Sequence, residues 1–131
     1  MTATPRYKKV LVIDDDEMDI FISKRILHSA IFAEEIILKT AILPALHYIE
    51  ELIFDSGNPP DLIFLDLNLP GKDGFSFLDQ LNIMSAQSEI DFRVVILTNV
   101  RDSQKTEKAK NYPMVEAVLE KPLTPDALVH I

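Results

Sequence analysis

The stretch that most constrains the fold is an unbroken apolar run in the middle of the chain, from Leu62 to Leu65. Four residues are too few to span a membrane, and a segment this apolar does not suit an exposed strand. The run therefore predicts a strand buried on both faces, as in a parallel sheet covered by helices. It ends at Asp66, and Pro70 and Gly71 follow, which predicts a turn before the next helix.

The rest of the sequence alternates between strand patterns and helix patterns. Besides the central run, strands are predicted over residues 8–13, 35–39, 92–97 and 115–119. Helices are predicted over residues 18–30 and 102–110, around the apolar stripes of residues 41–52 and 75–81, and from Thr124 onwards. Five strands alternating with five helices predict an α/β fold with a flavodoxin-like, doubly wound parallel sheet, strand order 2-1-3-4-5, and helices on both faces.

Composition narrows the class of protein. The 131 residues suffice for one domain with a buried core, and no repeat or internal linker divides them, so residues 1–131 are expected to form a single domain with a short or truncated last helix. The absence of cysteine excludes a disulfide framework and a Cys-based zinc site. A net charge of −8 argues against binding to nucleic acid or to an anionic membrane surface. No signal segment or membrane-spanning run is visible, so a cytoplasmic location is expected.

Four predicted strands end in residues that can carry chemistry. Asp14 and Asp15 follow the first strand, Asp66 the third, Thr98 the fourth and Lys121 the fifth. The strand order puts its switch point between the first and third strands, so the three aspartates are expected side by side. Their mutual repulsion would raise at least one pKa unless a cation intervened. An oxygen-only ligand set favours Mg²⁺ or Mn²⁺.

Two helices carry more specific expectations. Met18, Phe21, Ile22 and Ile26 share a helical face, which predicts that they form the buried side of the first helix. The acidic residues Asp16 and Glu17 are interpreted as a favourable charge at its N-terminus. Residues 102–110, in contrast, have almost no apolar face, and such a helix is expected to be marginally stable.

The strand-end residues together resemble a known pattern. The segment from Asp66 to Gly74 has the form D-x-x-x-P-x-x-x-G after an apolar strand. With the acidic pair, Thr98 and Lys121, it resembles the receiver domain of bacterial two-component response regulators over essentially the whole chain. By this resemblance, Asp66 accepts a phosphoryl group, Thr98 is the switch hydroxyl, and Lys121 is the lysine of the pattern. The Lys121-Pro122 peptide is expected to be cis.

The resemblance also implies a bound metal ion and protein partners, and the sequence departs from the family pattern at two positions. Asp15 and Asp66 would bind Mg²⁺ together with the main-chain carbonyl of Asn68, and Asp14 would help through water. The phosphodonor would be a sensor histidine kinase or a phosphotransfer protein, and an unknown downstream protein would read the result. Such a domain is a signalling phosphoacceptor rather than an enzyme, and no output domain is visible in this chain. The sequence departs from the family pattern at Asn99, where a small residue is usual, and at Val118, where an aromatic residue is usual.

Two alternatives remain open at the level of sequence. A phosphatase of the haloacid dehalogenase type would use Asp14 as nucleophile and Asp16 as acid/base. It would also need a further acidic motif, for which only Asp126 is left, and it gives no role to Asp66. The second alternative is a pseudo-receiver that acts only through protein contacts. The three histidines, His28, His47 and His130, are interpreted as surface residues and not as phosphodonors.

Overall fold

A computed structural model describes residues 4–69, 74–99 and 103–131. Its strands are β1 (Tyr7–Ile13), β2 (Ala33–Lys39), β3 (Leu62–Leu65), β4 (Val94–Thr98) and β5 (Val115–Glu120). Its helices are α1 (Glu17–Ser29), α2 (Ile42–Phe54), α3 (Gly74–Ser88), α4 (Ser103–Lys110) and α5 (Pro125–Leu128). No helix in these ranges combines the length and the apolar character that a membrane span requires. The turn predicted at Pro70 and Gly71, and the predicted helix start at Asp102, lie outside the described residues.

The five strands form one parallel sheet in the order β2-β1-β3-β4-β5, which confirms the predicted topology. The order reverses between β1 and β3, where Ile13 is paired with Leu65. Because both strands run in the same direction, the residues that follow this pair leave the sheet side by side. The register therefore brings Asp14 next to Asp66 at the carboxyl edge, where open α/β sheets place their ligands.

Helices cover both faces of the sheet, as the buried central strand predicts. Along β3, Ile63 and Leu65 face one core cluster, while Leu62 and Phe64 face the other. The first cluster lies under α2, α3 and α4, and the second lies under α1 and α5. All four residues of β3 are buried, which explains why this strand is uniformly apolar rather than alternating.

The buried side of α1 agrees only in part with the prediction, because Ile22 and Ile26 are half-buried and Ile26 packs against the second core cluster. Met18 and Phe21 are 65% and 58% exposed, whereas Ser23 and Leu27 are the buried residues of this helix. The burial of the small, polar Ser23 shows that the side of α1 turned towards the sheet is not the one that hydrophobicity alone indicates. The exposed positions of Lys24 and Arg25 do agree with the prediction.

Helix α4 buries very little, as its composition predicts. Among residues 104–110, only Ala109 is buried, and it joins the core cluster formed with α2 and α3. The other side chains in this range are mainly charged or polar and exposed. The helix must therefore be held in place largely by contacts other than core packing.

Candidate functional site

The first part of the site is the short acidic segment between β1 and α1. The Asp14 carboxylate is buried and accepts a hydrogen bond from the main-chain amide of Asp16 at 3.0 Å, while Asp15 is exposed. The Asp16 side chain caps α1 by accepting from the amides of Met18 (2.9 Å) and Asp19 (3.1 Å). Asp16 thus has the helix-capping role expected of an acidic residue before a helix.

Asp66 lies at the end of β3 and is only 5% exposed. Its main-chain amide donates to the carbonyl of Ile13, which ties the phosphoacceptor candidate to β1. Its Oδ1 accepts a hydrogen bond from the main-chain amide of Asn68 at 3.0 Å and a long one from the Thr98 hydroxyl at 3.4 Å. The structure therefore brings the Thr98 side chain, which is also buried, to the Asp66 carboxylate.

The Lys121 side chain reaches the Asp66 carboxylate from the end of β5. Its Nζ lies 2.6 Å from Asp14 Oδ2, 2.9 Å from Asp66 Oδ2 and 2.8 Å from Asp19 Oδ2. Its main-chain amide donates to the Thr98 carbonyl at 3.0 Å, which links the two strand ends. The Lys121-Pro122 peptide is cis, which confirms the prediction made from the family pattern.

The contact with Asp19 was missed by the sequence analysis. An acidic residue in the first turn of a helix is normally explained by the helix dipole, and Asp19 satisfies that explanation without any partner. One signal could have identified it. A helix that starts directly after a strand end has its first turn over the same sheet edge as the site, so an acid there lies within reach of Lys121.

Burial and charge shift two pKa values at this site in defined directions. Burial raises the pKa of the Asp14 carboxyl above its usual value, although hydrogen bonds from Lys121 and from the Asp16 amide oppose this. Burial also disfavours the charged form of Lys121. The hydrogen bonds that its ammonium makes to Asp14, Asp19 and Asp66 outweigh this cost and raise its pKa well above the usual value. The ammonium therefore stays protonated in the neutral range.

Three carboxylates at this edge could hold a divalent cation. Oxygen atoms of Asp14, Asp15 and Asp66 all lie within 4.8 Å of one another. Hard carboxylate oxygens are the donors that Mg²⁺ and Mn²⁺ accept, so the residues present fit such an ion. Asp15 is exposed while the other two carboxylates are buried, which leaves the cluster open to solvent on one side.

A contact between Asn68, which follows β3, and helix α4 was also not predicted from the sequence. The Lys105 ammonium, on α4, lies 3.4 Å from the Asn68 side-chain oxygen. The main-chain amide of Asn68 in turn donates to Asp66, so α4 touches a residue that contacts the candidate phosphoacceptor. Of the two departures from the family pattern, Asn99 is exposed, and Val118 is half-buried against the core.

Comparison with known proteins agrees with this arrangement. The sequence matches the profile of the response regulator receiver domain over residues 10–131. A two-component response regulator from Cytophaga hutchinsonii is 29% identical, with a TM-score of 0.86 over 95% of this chain and 93% of that chain. The bacteriophytochrome response regulator RtBRR is 26% identical, with a TM-score of 0.78 over 95% of this chain and 75% of that chain.

A third solved structure supports the fold alone. The Mn²⁺-bound form of response regulator Rcp1 is 24% identical, with a TM-score of 0.74 over 94% of this chain and 87% of that chain. The search of curated proteins gave no significant match. Because the profile match extends over nearly all of the sequence, the chain belongs to the response regulator receiver domain family.

Proposed function

We propose that this domain is the phosphoacceptor of a histidine-to-aspartate phosphorelay and that Asp66 is the residue phosphorylated. The observation that carries the proposal is the set of side chains that surround Asp66 at the end of the central strand. A hydroxyl from β4, an ammonium following β5 and two further carboxylates following β1 all converge on this one buried carboxylate. Each comes from a different strand end, and each matches a need of phosphoryl transfer.

Asp66 acts as the nucleophile. An ionised carboxylate oxygen can attack phosphorus without a general base, because it carries no proton to remove. One bond forms between this oxygen and phosphorus. The bond between phosphorus and the donor atom breaks, which is a P–N bond when the donor is a phosphohistidine. The imidazole that leaves takes up a proton, and Asp66 becomes an acyl phosphate.

The neighbours of Asp66 position and neutralise charge, which is most of what phosphoryl transfer requires. The Lys121 ammonium lies 2.9 Å from Asp66 and is placed to donate to a phosphoryl oxygen. The Thr98 hydroxyl approaches from the neighbouring strand and offers a second donor. Asp14, Asp15, Asp66 and the main-chain carbonyl of Asn68 would hold Mg²⁺ or Mn²⁺. When bound, this ion would offset the negative charge that the carboxylates and the phosphoryl oxygens bring together.

The consequence of phosphorylation would be a changed protein-interaction surface. The acyl phosphate adds negative charge and acceptor oxygens, towards which Thr98 and Lys121 can move. A sensor histidine kinase or phosphotransfer protein would supply the phosphoryl group, and a downstream protein would bind the switched surface. We place this activity in the cytoplasm, without nucleic-acid or membrane binding by this domain, in keeping with its charge of −8.

The structure offers no support for the two alternatives. A phosphatase with Asp14 as nucleophile needs Asp16 as acid/base, yet the Asp16 carboxylate is used to cap α1. Asp126, the remaining acid, is exposed in the first turn of α5. A pseudo-receiver would not require the four groups that surround Asp66, and all four of them are present.

Treatment with acetyl phosphate tests the proposal. Intact-mass spectrometry should show one added phosphoryl group in the presence of Mg²⁺, and none after chelation with EDTA or in Asp66→Asn. Asp55→Asn, which changes an exposed aspartate at the end of α2, is the matched control and should be phosphorylated like the parent. An adduct that survives in Asp66→Asn and maps to Asp14 would instead support the phosphatase.

A further inference from the structure

The ammonium of Lys121 is shared among three carboxylates, and one of them comes from a helix. Asp14 and Asp66, which follow strands, are 3% and 5% exposed. Asp19, in the first turn of α1, is 28% exposed and lies at nearly the same distance from Nζ, 2.8 Å. An ammonium group has three N–H donors, so each of the three carboxylates can accept one hydrogen bond from it. Asp19 thus takes part, with Asp14 and Asp66, in fixing where the ammonium lies.

The three carboxylates differ in their relation to the candidate cation site. Asp14 and Asp66 belong to the cluster whose oxygens lie within 4.8 Å of one another, and Asp19 does not. Lys121 and a divalent cation therefore need the same two carboxylates, while Asp19 interacts with Lys121 from outside the cluster. Electrostatic attraction between Asp19 and the Lys121 ammonium therefore reduces the competition between this ammonium and a cation for Asp14 and Asp66.

We propose that Asp19 is a positioning residue for Lys121, an inference that rests on the function proposed above. Before phosphorylation, Asp19 draws the ammonium partly away from Asp14 and Asp66 and leaves these carboxylates available to the cation. Its negative charge also adds to the attraction for the cation. After phosphorylation, the phosphoryl oxygens compete with Asp19 for the same ammonium. Asp19 therefore favours the cation and opposes the phosphoryl group.

These two effects have opposite signs, which makes the role of Asp19 measurable. In Asp19→Asn, the side chain keeps its size but loses its charge, so Lys121 shifts towards Asp14 and Asp66. Affinity for Mn²⁺ should fall about three- to tenfold, the scale expected for one charge near a partly exposed ion site. Affinity for beryllofluoride, an anionic phosphoryl mimic, should be unchanged or tighter when Mg²⁺ is saturating.

The experiment measures the two affinities separately on the whole chain. Free Mn²⁺ is followed by electron paramagnetic resonance, and beryllofluoride binding is followed by fluorine NMR at saturating Mg²⁺. Asp16→Asn is the matched control. It removes one charge from the same end of α1 by the same isosteric change, and asparagine still caps a helix. Asp19→Glu, which keeps the charge, should retain most of the Mn²⁺ affinity.

The possible outcomes separate this inference from the proposed function. Weaker Mn²⁺ binding in Asp19→Asn than in Asp16→Asn, with beryllofluoride binding equal or tighter, supports the role of Asp19. Equal Mn²⁺ affinity in the two variants, or a parallel loss of both ligands in Asp19→Asn, overturns it. If the parent protein itself binds neither Mn²⁺ nor beryllofluoride, the proposed function fails, and the role of Asp19 fails with it.

Discussion

At Lys121, a single ammonium group faces the two buried carboxylates of Asp14 and Asp66 and the partly exposed carboxylate of Asp19. The negative charges outnumber the positive one, and burial makes the imbalance costly. The pKa of Asp14 reflects this cost, because burial raises it despite the nearby lysine. The arrangement favours the binding of a cation over the stability of the cation-free protein.

The raised pKa of Asp14 predicts a specific pH dependence of stability. Between its usual value of 3.8 and its higher folded-state value, the folded protein binds more protons than the unfolded chain. The free energy of unfolding therefore falls as the pH rises through this window. Asp14→Asn has no carboxyl group at this position to lose its proton. In EDTA, the stability of the variant relative to the parent should therefore increase as the pH rises towards neutrality.

Urea denaturation of both proteins between acidic and neutral pH measures this difference. Because the other carboxylates are common to both proteins, their contributions largely cancel when the two curves are subtracted. A difference that stays constant with pH, or that grows in favour of the parent, would contradict the assignment of a raised pKa to Asp14.

Gly74 shows why the pattern after Asp66 requires a residue without a side chain. A Cβ atom at this position would lie 2.9 Å from the Leu67 Cα and 3.1 Å from the Asp66 carbonyl oxygen. The first residue of α3 therefore packs against the backbone that carries the candidate phosphoacceptor. The glycine is needed because of this close approach, and α3 can begin directly beside the site.

At the level of elements, Phe75 on α3 contacts both α4 and the residues that follow it. The Lys108 ammonium lies 4.2 Å from the centre of the Phe75 ring, and the Tyr112 ring stacks on Phe75 at 6.2 Å. The Tyr112 hydroxyl donates to Asp79 on α3 at 2.7 Å. Since α4 buries only Ala109 among residues 104–110, these contacts take the place of an apolar face. Phe75 also follows Gly74, so this attachment begins next to the site.

We predict that Phe75→Leu loosens α4 selectively. The substitution removes a cation–π contact worth about 0.5–1 kcal/mol and an aromatic pair worth about 0.5–1.5 kcal/mol, while retaining an apolar side chain. Amide hydrogen exchange over residues 104–110 should become about 5- to 50-fold faster, and exchange in β3 should change much less.

Phe77→Leu is the matched control, because Phe77 is fully buried on the same helix and its truncation weakens the core. It should lower the protection of the whole domain without singling out α4. We predict that α4 carries the output, because Lys105 contacts Asn68, whose main-chain amide donates to Asp66. In the parent protein, beryllofluoride should therefore alter exchange in α4. Protection of α4 equal to that of β3, and unchanged by beryllofluoride, would contradict this role for the helix.

On the scale of the whole molecule, the described residues at the two edges of the sheet differ in how their charges are paired. At the amino edge, two acidic side chains have partners. Arg93 forms a two-point ion pair with Glu116, and Asp61 accepts from the main-chain amides of Lys8 and Lys9. At the carboxyl edge, Lys121 faces an excess of carboxylates. The local excess has the same sign as the net charge of −8.

A cation that neutralises the carboxyl edge should stabilise the whole domain. At ten times its dissociation constant, a ligand of the folded state alone adds about 1.4 kcal/mol to the free energy of unfolding. For a domain of this size, that corresponds to a rise in Tm of about 4–6 °C. Differential scanning calorimetry with Mg²⁺, against NaCl at matched ionic strength, measures the effect.

Asp15→Asn provides the control for this measurement, because Asp15 is exposed and its loss should disturb the fold little. The rise in Tm should be mostly lost in this variant. An equal rise in the parent and in Asp15→Asn would show that Mg²⁺ acts by general screening and not at the proposed site.

Much of the fold and of the candidate site could be predicted from the sequence because the signals are local. The apolar run from Leu62 to Leu65 indicates a central strand, and alternation with helices and right-handed crossovers restricts the strand order. Parallel strands bring their carboxyl ends to one edge, so Asp14, Asp66 and Lys121 could be placed together before any coordinates were known.

Only the tertiary structure decided contacts that depend on how each helix is rotated and how far its side chains reach. The Asp19–Lys121 ion pair joins residues 102 positions apart. The place of Asp19 in the first turn after β1 puts it near this edge of the sheet, but the sequence does not show that its side chain reaches Lys121. The buried residues of α1 are Ser23 and Leu27, whereas the far more hydrophobic Phe21 is exposed. Periodicity defines a helix and its possible faces, but the shape of the surface beneath it decides which face is buried and which side chains meet.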